Sequence, residues 1–325
     1  MIASILLLAA FEIHALVDSL DFATVVDIEK PEGTVKTLEH VLGTYPTSVL
    51  WRDKSGGQVR YPSAEEKSIY CENPLNKLQF WRYSVYGDLR QHNRCTNAFE
   101  IVRDECVRRG FEFGVHSGWE DSHSGCPWTE SNWVMAHPQY STRALHGPVR
   151  IVSSSIAYPE VVRHRVAKVD ELLAYGAKTI FLDMRRRGGW GPRFEYVEPM
   201  IAEWRRRYDC EPPSDYTDER WVSLVSEHIT GCLREMSAHC HAKGCRLLVG
   251  LMQFEVDDTY TWRELALDWK QLAREGIADG IVLMDVKCDP ERPFESTEEI
   301  LRWAKANCGD ADLYFHASVY GDESE

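Results

Sequence analysis

The chain of 325 residues lacks the features of several large classes of protein. It has no excess of positive charge: the formal net charge is −14, whereas a nucleic-acid-binding protein needs a basic surface against the phosphates. No apolar run is long enough to span a bilayer. There is also no low-complexity tract and no repeat of solenoid period. We therefore expect a globular protein that binds neither nucleic acid nor membrane.

The ten cysteines form no Cys-x-x-Cys pair. In a chain of this length, scattered cysteines are more often free thiols than a disulfide framework. His239, Cys240, His241 and Cys245 lie close together, but they fall at the end of a predicted helix, where successive side chains point apart. No metal site is expected there. No Gly-x-Gly-x-x-Gly turn follows the first predicted strand, which argues against a doubly wound sheet, and no cofactor is predicted.

The first ten residues superficially resemble a signal peptide. They lack a basic segment, they are too short to cross a bilayer, and they continue directly into Phe11-Glu12-Ile13-His14. We interpret residues 2–10 as the first buried strand, with Glu12 and His14 at its end. A cytoplasmic protein is expected, with export left open.

Short apolar segments alternate with amphipathic helical segments along most of the chain. Gly110, Gly176 and Gly244 close three predicted helices just before predicted strands. This alternation predicts an α/β fold with a parallel sheet covered by helices on both faces. The predicted strands are residues 2–10, 47–52, 111–117, 177–184, 245–254, 278–286 and 311–319. The predicted helices are residues 34–42, 97–109, 160–175, 220–243, 262–275 and 296–306.

Seven strands can be identified, whereas a closed (β/α)8 barrel has eight. We predict one domain over residues 1–325, a (β/α)8-type TIM barrel whose eighth strand is missing or irregular. Two long loops, at about residues 53–93 and 119–159, interrupt the alternation. Loops of this length usually carry function, and both are rich in aromatic residues, which suit stacking against sugar rings.

Ionisable residues follow the predicted strands at their carboxyl ends, where barrel enzymes place their chemistry. Asp183 ends a short apolar strand, and three arginines, two glycines and Trp190 follow within seven residues. Glu255 follows the fifth predicted strand and Asp285 the sixth. Glycoside hydrolysis needs two carboxyl groups, one ionised and one protonated. We assign Asp183 as nucleophile or base, Glu255 as general acid and Asp285 as an alternative acid.

Residues around these acids are expected to bind a carbohydrate substrate. Aromatic faces stack on the C–H faces of a sugar, and charged side chains bind its hydroxyls. The arginines after Asp183 would keep that carboxylate ionised if they point inward. The expected binding residues are Glu12, His14, Arg52, His116, Trp119, Arg185, Trp190, Lys287 and His316.

Part of the chain, clearest over about residues 100 to 255, resembles the glycosyl-hydrolase-like barrels known as "family 10 glycosidase-like". That family has Asn-Pro-Glu-Val-Arg, a helix, and a strand that ends Asp-Gly-Ile-His-Leu-Asp. This chain departs from the pattern before Pro159 and before Phe181, and it retains the aspartate at Asp183. The resemblance implies a barrel hydrolase that acts on carbohydrate. The similar segments are Pro159-Glu-Val-Val-Arg163, Phe181-Leu-Asp183-Met-Arg185, Phe194-Glu-Tyr-Val-Glu-Pro199 and Trp204-Arg-Arg-Arg-Tyr208.

Two other functions stay open on the sequence. A metal-dependent isomerase or amidohydrolase would use the same histidines and carboxylates as ligands. Against it, the chain has no His-x-His after the first predicted strand. A non-catalytic carbohydrate-binding barrel would keep the aromatic loops without a working pair of acids. The fold alone does not decide between these functions.

Overall fold

The computed structural model describes residues 12–17, 31–42, 47–55, 58–59, 61–65, 97–120, 131–147, 149–187, 190–252, 258–284 and 297–316. Its strands are β1 (His14–Val17), β2 (Ser48–Arg52), β3 (Lys54–Ser55), β4 (Gln58–Val59), β5 (Glu112–Glu120), β6 (Ser141–Arg143), β7 (Val149–Ser154), β8 (Thr179–Arg187), β9 (Arg246–Met252), β10 (Gly280–Met284) and β11 (Asp312–Phe315). Seven of them form one sheet that is parallel throughout, in the order β1-β2-β5-β8-β9-β10-β11, and the pairs β3-β4 and β6-β7 are small antiparallel ribbons.

Helices connect most of the sheet strands and cover the outside of the sheet. The caps explain where some of them begin and end: the Asp218 carboxylate accepts from the backbone of Arg220 and Trp221, and Gly110 adopts the left-handed conformation after the second helix. None of the described helices is long and apolar enough to cross a membrane. The helices are α1 (Pro31–Leu42), α2 (Ala98–Arg109), α3 (Asn132–Ala136), α4 (Pro159–Ala174), α5 (Glu198–Tyr208), α6 (Glu219–Ala242), α7 (Asp258–Leu265), α8 (Trp269–Arg274) and α9 (Thr297–Asn307).

The sheet is strongly curled. In a flat sheet the first and seventh strands would lie about 29 Å apart, because neighbouring strands are about 4.8 Å apart. Here the ring of His14 in β1 lies 4.9 Å from the ring of Tyr314 in β11, and the Tyr314 hydroxyl donates to Glu12 Oε2 at 2.8 Å. The strands therefore wrap around a common axis, which confirms the predicted α/β, (β/α)8-type class with seven strands in the described part of the chain.

Side chains alternate between the two faces of the curled sheet. One set faces the helices and belongs to the large hydrophobic core; Val49, Ile180 and Val249 are examples. The other set fills the inside of the curl. Its members are Leu50, Phe181, Leu248, Val282 and Met284, with Leu16 and Tyr314 packed against them.

Six of the seven predicted sheet strands correspond to observed strands. The strand predicted over residues 2–10 lies outside the described residues, and the first described strand is β1, His14–Val17. The helix predicted over residues 262–275 was wrong, because the chain forms α7 and α8 separately and Ala266 between them has a positive φ of 51°. The ribbon β6-β7 and the helices α3 and α5 were not predicted.

Candidate functional site

Three ionisable side chains lie next to one another on adjacent strands. His116 and Asp183 are each the fifth of nine residues in their strands, so β8 continues past residue 184, where the sequence predicts its end. Arg52 ends β2 and is the register partner of His116 in β5, and His116 Nε2 lies 3.4 Å from Asp183 Oδ2 in β8. The alternation of side chains puts all three on the inner face, above Leu50 and Phe181. All three are buried, and Asp183 has no exposed surface. We call these three residues the inner row.

The backbone around Asp183 is irregular. Its register partners on both sides are glycines, Gly118 in β5 and Gly250 in β9, so neither neighbour puts a side chain beside the carboxylate. Directly after the Gly118 pair the register shifts, and Glu120 becomes the partner of Arg187. Bulges of this kind are frequent next to active sites, where they redirect the end of a strand. The irregularity therefore falls where a barrel enzyme would hold its substrate.

A buried acid next to the inner row, Asp53, was missed by the sequence analysis. Its Oδ2 accepts a hydrogen bond from Ser117 Oγ at 2.8 Å, and its backbone N–H donates to the carbonyl of His116 at 3.0 Å. Alternation places Asp53 and Ser117 on the helix-facing side. Asp53 therefore fastens the end of β2 to β5 directly behind His116. The signal for it was present in the sequence, because an acid follows Arg52 at a predicted strand end.

Trp119 and Trp190, two of the residues expected to bind a sugar, do not line the inner face. Both are buried in the large core, with their ring centroids 6.1 Å apart. The Arg165 guanidinium lies over the Trp119 ring at 4.0 Å and donates to the Trp119 carbonyl at 2.9 Å. The reason is alternation: Trp119 has the same parity in β5 as the core residues Phe113 and Val115.

The two predicted long loops are fastened to α4 or to the segment after β8 where they are described. Ser155 Oγ donates to the buried carboxylate of Glu195, which links the end of β7 to the chain after β8. The ring of Trp133 stacks on that of His164 in α4, with centroids 4.2 Å apart and planes 8° apart. The His164 Nδ1 atom lies 3.4 Å from Glu65 Oε2 in the first loop. These contacts fasten the described parts of the two loops to α4 and to the segment after β8.

We predict that Glu171→Ala loosens the segment 61–65. The Glu171 carboxylate accepts hydrogen bonds from the Tyr61 hydroxyl (3.1 Å), the Ser63 hydroxyl (2.7 Å) and the backbone N–H groups of Ala64 (2.7 Å) and Glu65 (3.2 Å). Hydrogen exchange should become about tenfold faster at these two amides, because they lose their acceptors. Exchange measured by mass spectrometry checks this. The neighbouring variant Asp170→Asn should leave the same amides unchanged, and equal exchange in both variants would contradict the prediction.

Glu12 and His14, which were expected to join the substrate site, lie at the opposite end of the sheet from Asp183. His14 begins β1, and Glu12 precedes it. His14 Nδ1 lies 2.6 Å from Ser48 Oγ, and Arg246 Nη1 donates to Glu12 Oε2 at 2.9 Å. In a parallel sheet all strands start at the same end. In barrels, the residues at this amino-terminal end contribute to stability, whereas the active site lies at the other end. These side chains join the two edge strands.

This amino-terminal cluster makes folding stability sensitive to acid. Burial, together with the charge of Arg246, lowers the pKa of His14 below 6.5, and hydrogen bonds from Arg246 and Tyr314 lower the pKa of Glu12 below 4.5. A lowered folded-state pKa contributes stability that is present above the unfolded pKa and lost as pH falls through the folded one. The stability that depends on His14 is therefore lost as the pH falls below 6.5, and the stability that depends on Glu12 is lost as the pH falls below 4.5.

We predict that His14→Phe removes the first of these two steps. The free energy of unfolding of the wild type should fall between about pH 7 and about pH 5, and the variant should show a flatter dependence there. Urea denaturation at several pH values measures this. A variant that keeps the wild-type slope in this window would contradict the assignment to His14.

The remaining predicted site residues are only partly described. His316 follows β11 at the same end as Asp183, and its backbone N–H donates to the carbonyl of Leu283 at 2.8 Å. The backbone of Arg185 continues β8, but its side chain lies outside the described part. Glu255, Asp285 and Lys287 lie outside the described residues.

No group of three or more potential metal ligands occurs among the residues that the structure describes. His239 and His241, considered above with the nearby cysteines, contact different carboxylates. His239 Nδ1 lies 2.8 Å from Asp170 Oδ1, and His241 Nε2 lies 2.9 Å from Asp279 Oδ2.

Comparisons with known proteins identify the fold. No protein-family model matches the chain, and no curated protein sequence matches it. The catalytic domain of β-amylase from Paenibacillus polymyxa matches with a TM-score of 0.54 at 10% identity, over 94% of this chain and 85% of that one. A Group IV chitinase from Ostrinia furnacalis in complex with allosamidin matches with a TM-score of 0.47 at 11% identity, over 94% of this chain and 65% of that one.

A third match is the spore cortex-lytic enzyme of Bacillus megaterium, with a TM-score of 0.44, 11% identity and coverage of 97% of this chain. The chain spans 53% of the Bacillus enzyme and 65% of the Ostrinia enzyme, which is less than two thirds of each. At these identities the likeness shows the fold alone. Two of these structural neighbours, the β-amylase and the chitinase, bear the names of enzymes that act on carbohydrates.

Proposed function

We propose that this protein is a glycoside hydrolase whose active site lies at the carboxyl end of the sheet, with Asp183 as nucleophile or base. The observation that carries the proposal is a fully buried carboxylate on the inner face of a barrel strand, in contact with His116 at 3.4 Å and flanked by two glycines. Buried ionisable groups with a specific partner in this location are candidates for catalysis.

The second carboxyl group of the mechanism comes from Glu255, with Asp285 as the alternative. Strands β8, β9 and β10 are consecutive in the sheet, and these two acids follow β9 and β10 in the sequence. A parallel sheet brings residues that follow neighbouring strands to the same end. A separation from Asp183 of about 5–5.5 Å would give retention of configuration, and one of about 6.5–9.5 Å would give inversion.

The burial of Asp183 sets a condition on this proposal. Because its carboxylate has no exposed surface, a sugar reaches it only after the groups that cover it move. Such conformational steps are common in enzymes that enclose their substrates. A substrate that binds should therefore increase the exposure of the inner row.

Product analysis on a panel of oligosaccharides tests the proposed function. Maltopentaose and chitopentaose are suitable probes, because the structural neighbours include a β-amylase and a chitinase. We expect hydrolysis of at least one panel member, unaffected by EDTA. Loss of turnover in EDTA with recovery on adding a divalent ion would favour the metal-dependent alternative, and binding without cleavage would favour a non-catalytic carbohydrate-binding barrel.

A further inference from the structure

His116 is placed to act on Asp183 as much as on a ligand. Its Nε2 atom lies 3.4 Å from Asp183 Oδ2, and its ring packs against Phe181 with centroids 5.0 Å apart. His116 is buried, with 6% of its surface exposed. The polar contact of its ring is the carboxylate of the proposed catalytic acid.

The contact has a defined chemical sense. When Nε2 carries a proton, this N–H group donates a hydrogen bond to Asp183 Oδ2, whether the ring is neutral or charged. A hydrogen bond donated to a carboxylate favours its ionised form, and burial without such a donor favours the protonated form. The donor therefore favours the ionised form of the carboxylate and one rotation of it.

The surroundings of His116 support its role as a donor to Asp183. On its face of the sheet, His116 is the register partner of Arg52 in β2, and its ring lies 3.4 Å from the Asp183 carboxylate in β8. Asp53 lies behind it, and the N–H of Asp53 holds the His116 backbone carbonyl at 3.0 Å. The backbone of His116 is thus anchored on one side and its ring is packed on the other. A side chain held at both ends is suited to orienting a neighbour.

We propose that His116 is a positioning residue, which holds the Asp183 carboxylate ionised and correctly oriented, and that it is not a substrate-binding residue. This inference rests on the proposed hydrolase function and revises the role assigned to His116 from the sequence. It predicts a specific kinetic signature. Removing a substrate-binding group raises KM, whereas removing a group that prepares the catalytic carboxylate lowers kcat.

His116→Phe tests the inference, since it keeps an aromatic ring against Phe181 and removes the donor. We expect kcat at about pH 6 to fall about 100-fold with KM changed less than about twofold, and the acid limb of the pH–rate profile to move to higher pH. His116→Gln retains an N–H donor and should recover about tenfold of the lost kcat. A raised KM with an unchanged kcat and pH profile would overturn the inference.

The chain offers a closely matched control in His164. It is also buried, its Nδ1 also lies 3.4 Å from a carboxylate oxygen, that of Glu65, and it also packs against an aromatic ring. His164→Phe removes the same chemical group outside the inner row. Its kcat, KM and pH profile should match those of the wild type. Identical changes in His164→Phe and His116→Phe would show a general structural effect and overturn the inference.

Difference infrared spectroscopy provides a readout that needs no substrate. The spectrum of the wild type minus that of Asp183→Asn should contain an ionised carboxylate band at about pH 6. The same difference in the His116→Phe background should contain a protonated carboxyl band instead. An ionised band in both backgrounds would overturn the inference. If the wild type cleaves no probe, the proposed hydrolase function fails, and this spectrum alone decides whether His116 controls Asp183.

Discussion

Replacing Asp183 with asparagine should lower kcat/KM on any cleaved oligosaccharide by about 10³-fold or more, because the reacting carboxylate is lost. The protein should remain folded. Asparagine has nearly the same shape, and its side-chain oxygen can still accept the hydrogen bond from His116 Nε2. If Asp183 had only a structural role, the opposite pattern would be found: stability would be lost, and the fraction of protein that remains folded would keep its activity.

The measurement is product release alongside urea denaturation on the same preparations. Asp170→Asn serves as the control, since Asp170 lies on the surface of α4 and contacts His239 at 2.8 Å, away from the inner row. Its activity should equal that of the wild type. Wild-type turnover by Asp183→Asn would remove Asp183 from the mechanism, and Glu255 and Asp285 would then be tested as the catalytic pair.

Replacing Gly114 with alanine should destabilise the protein by about 3 kcal/mol, because overpacked sites relax only at such a cost. Gly114 lies on the inner face of β5, where β2 and β8 approach closely. A Cβ atom there would lie 2.4 Å from Leu50 Cδ2 and 2.7 Å from the backbone oxygen of Thr179. The leucine can shift, but the Thr179 carbonyl belongs to β8 and is fixed by the sheet. The stability of Gly114→Ala therefore tests how closely β2, β5 and β8 pack on the inner face of the curled sheet.

Gly231→Ala is the matched control for this substitution. Gly231 lies within α6, and a Cβ atom added there meets nothing within 4 Å. In a helix this change should stabilise the protein by about 0.5–1 kcal/mol, since alanine is the better helix former. Urea denaturation of both variants gives the comparison. Equal stability of Gly114→Ala and the wild type would contradict the close packing of β2, β5 and β8 on the inner face.

The sequence predicted the fold well where strands are continuously apolar and buried, and less well at the edge of the sheet. β2 and β10 are buried along their whole length, and both were identified. β1 has only four residues, and most of them are half-buried. Its short hydrophobic pattern was not identified as a strand, because the apolar run at residues 2–10 is longer. The break between α7 and α8 depends on the positive φ of Ala266, for which alanine gives no sequence signal.

The candidate site was predictable in its location but not in its contacts. Asp183 was identified because a charged residue at a strand end is unusual in a buried segment. Its contact with His116 depends on the register of two strands 67 positions apart in sequence, which local patterns do not determine. The burial of Trp119 could have been anticipated, since it shares the parity of the core residues of β5.

The most direct test of the central claim is the position of a bound oligosaccharide in crystals of Asp183→Asn. The ligand would be whichever of maltopentaose or chitopentaose the wild type cleaves faster. We expect a sugar ring at the carboxyl end of the sheet, within hydrogen-bonding distance of the side chain at position 183 and next to His116. A sugar bound with every ring more than about 10 Å from residue 183 would contradict it, because no two-carboxylate mechanism spans that distance.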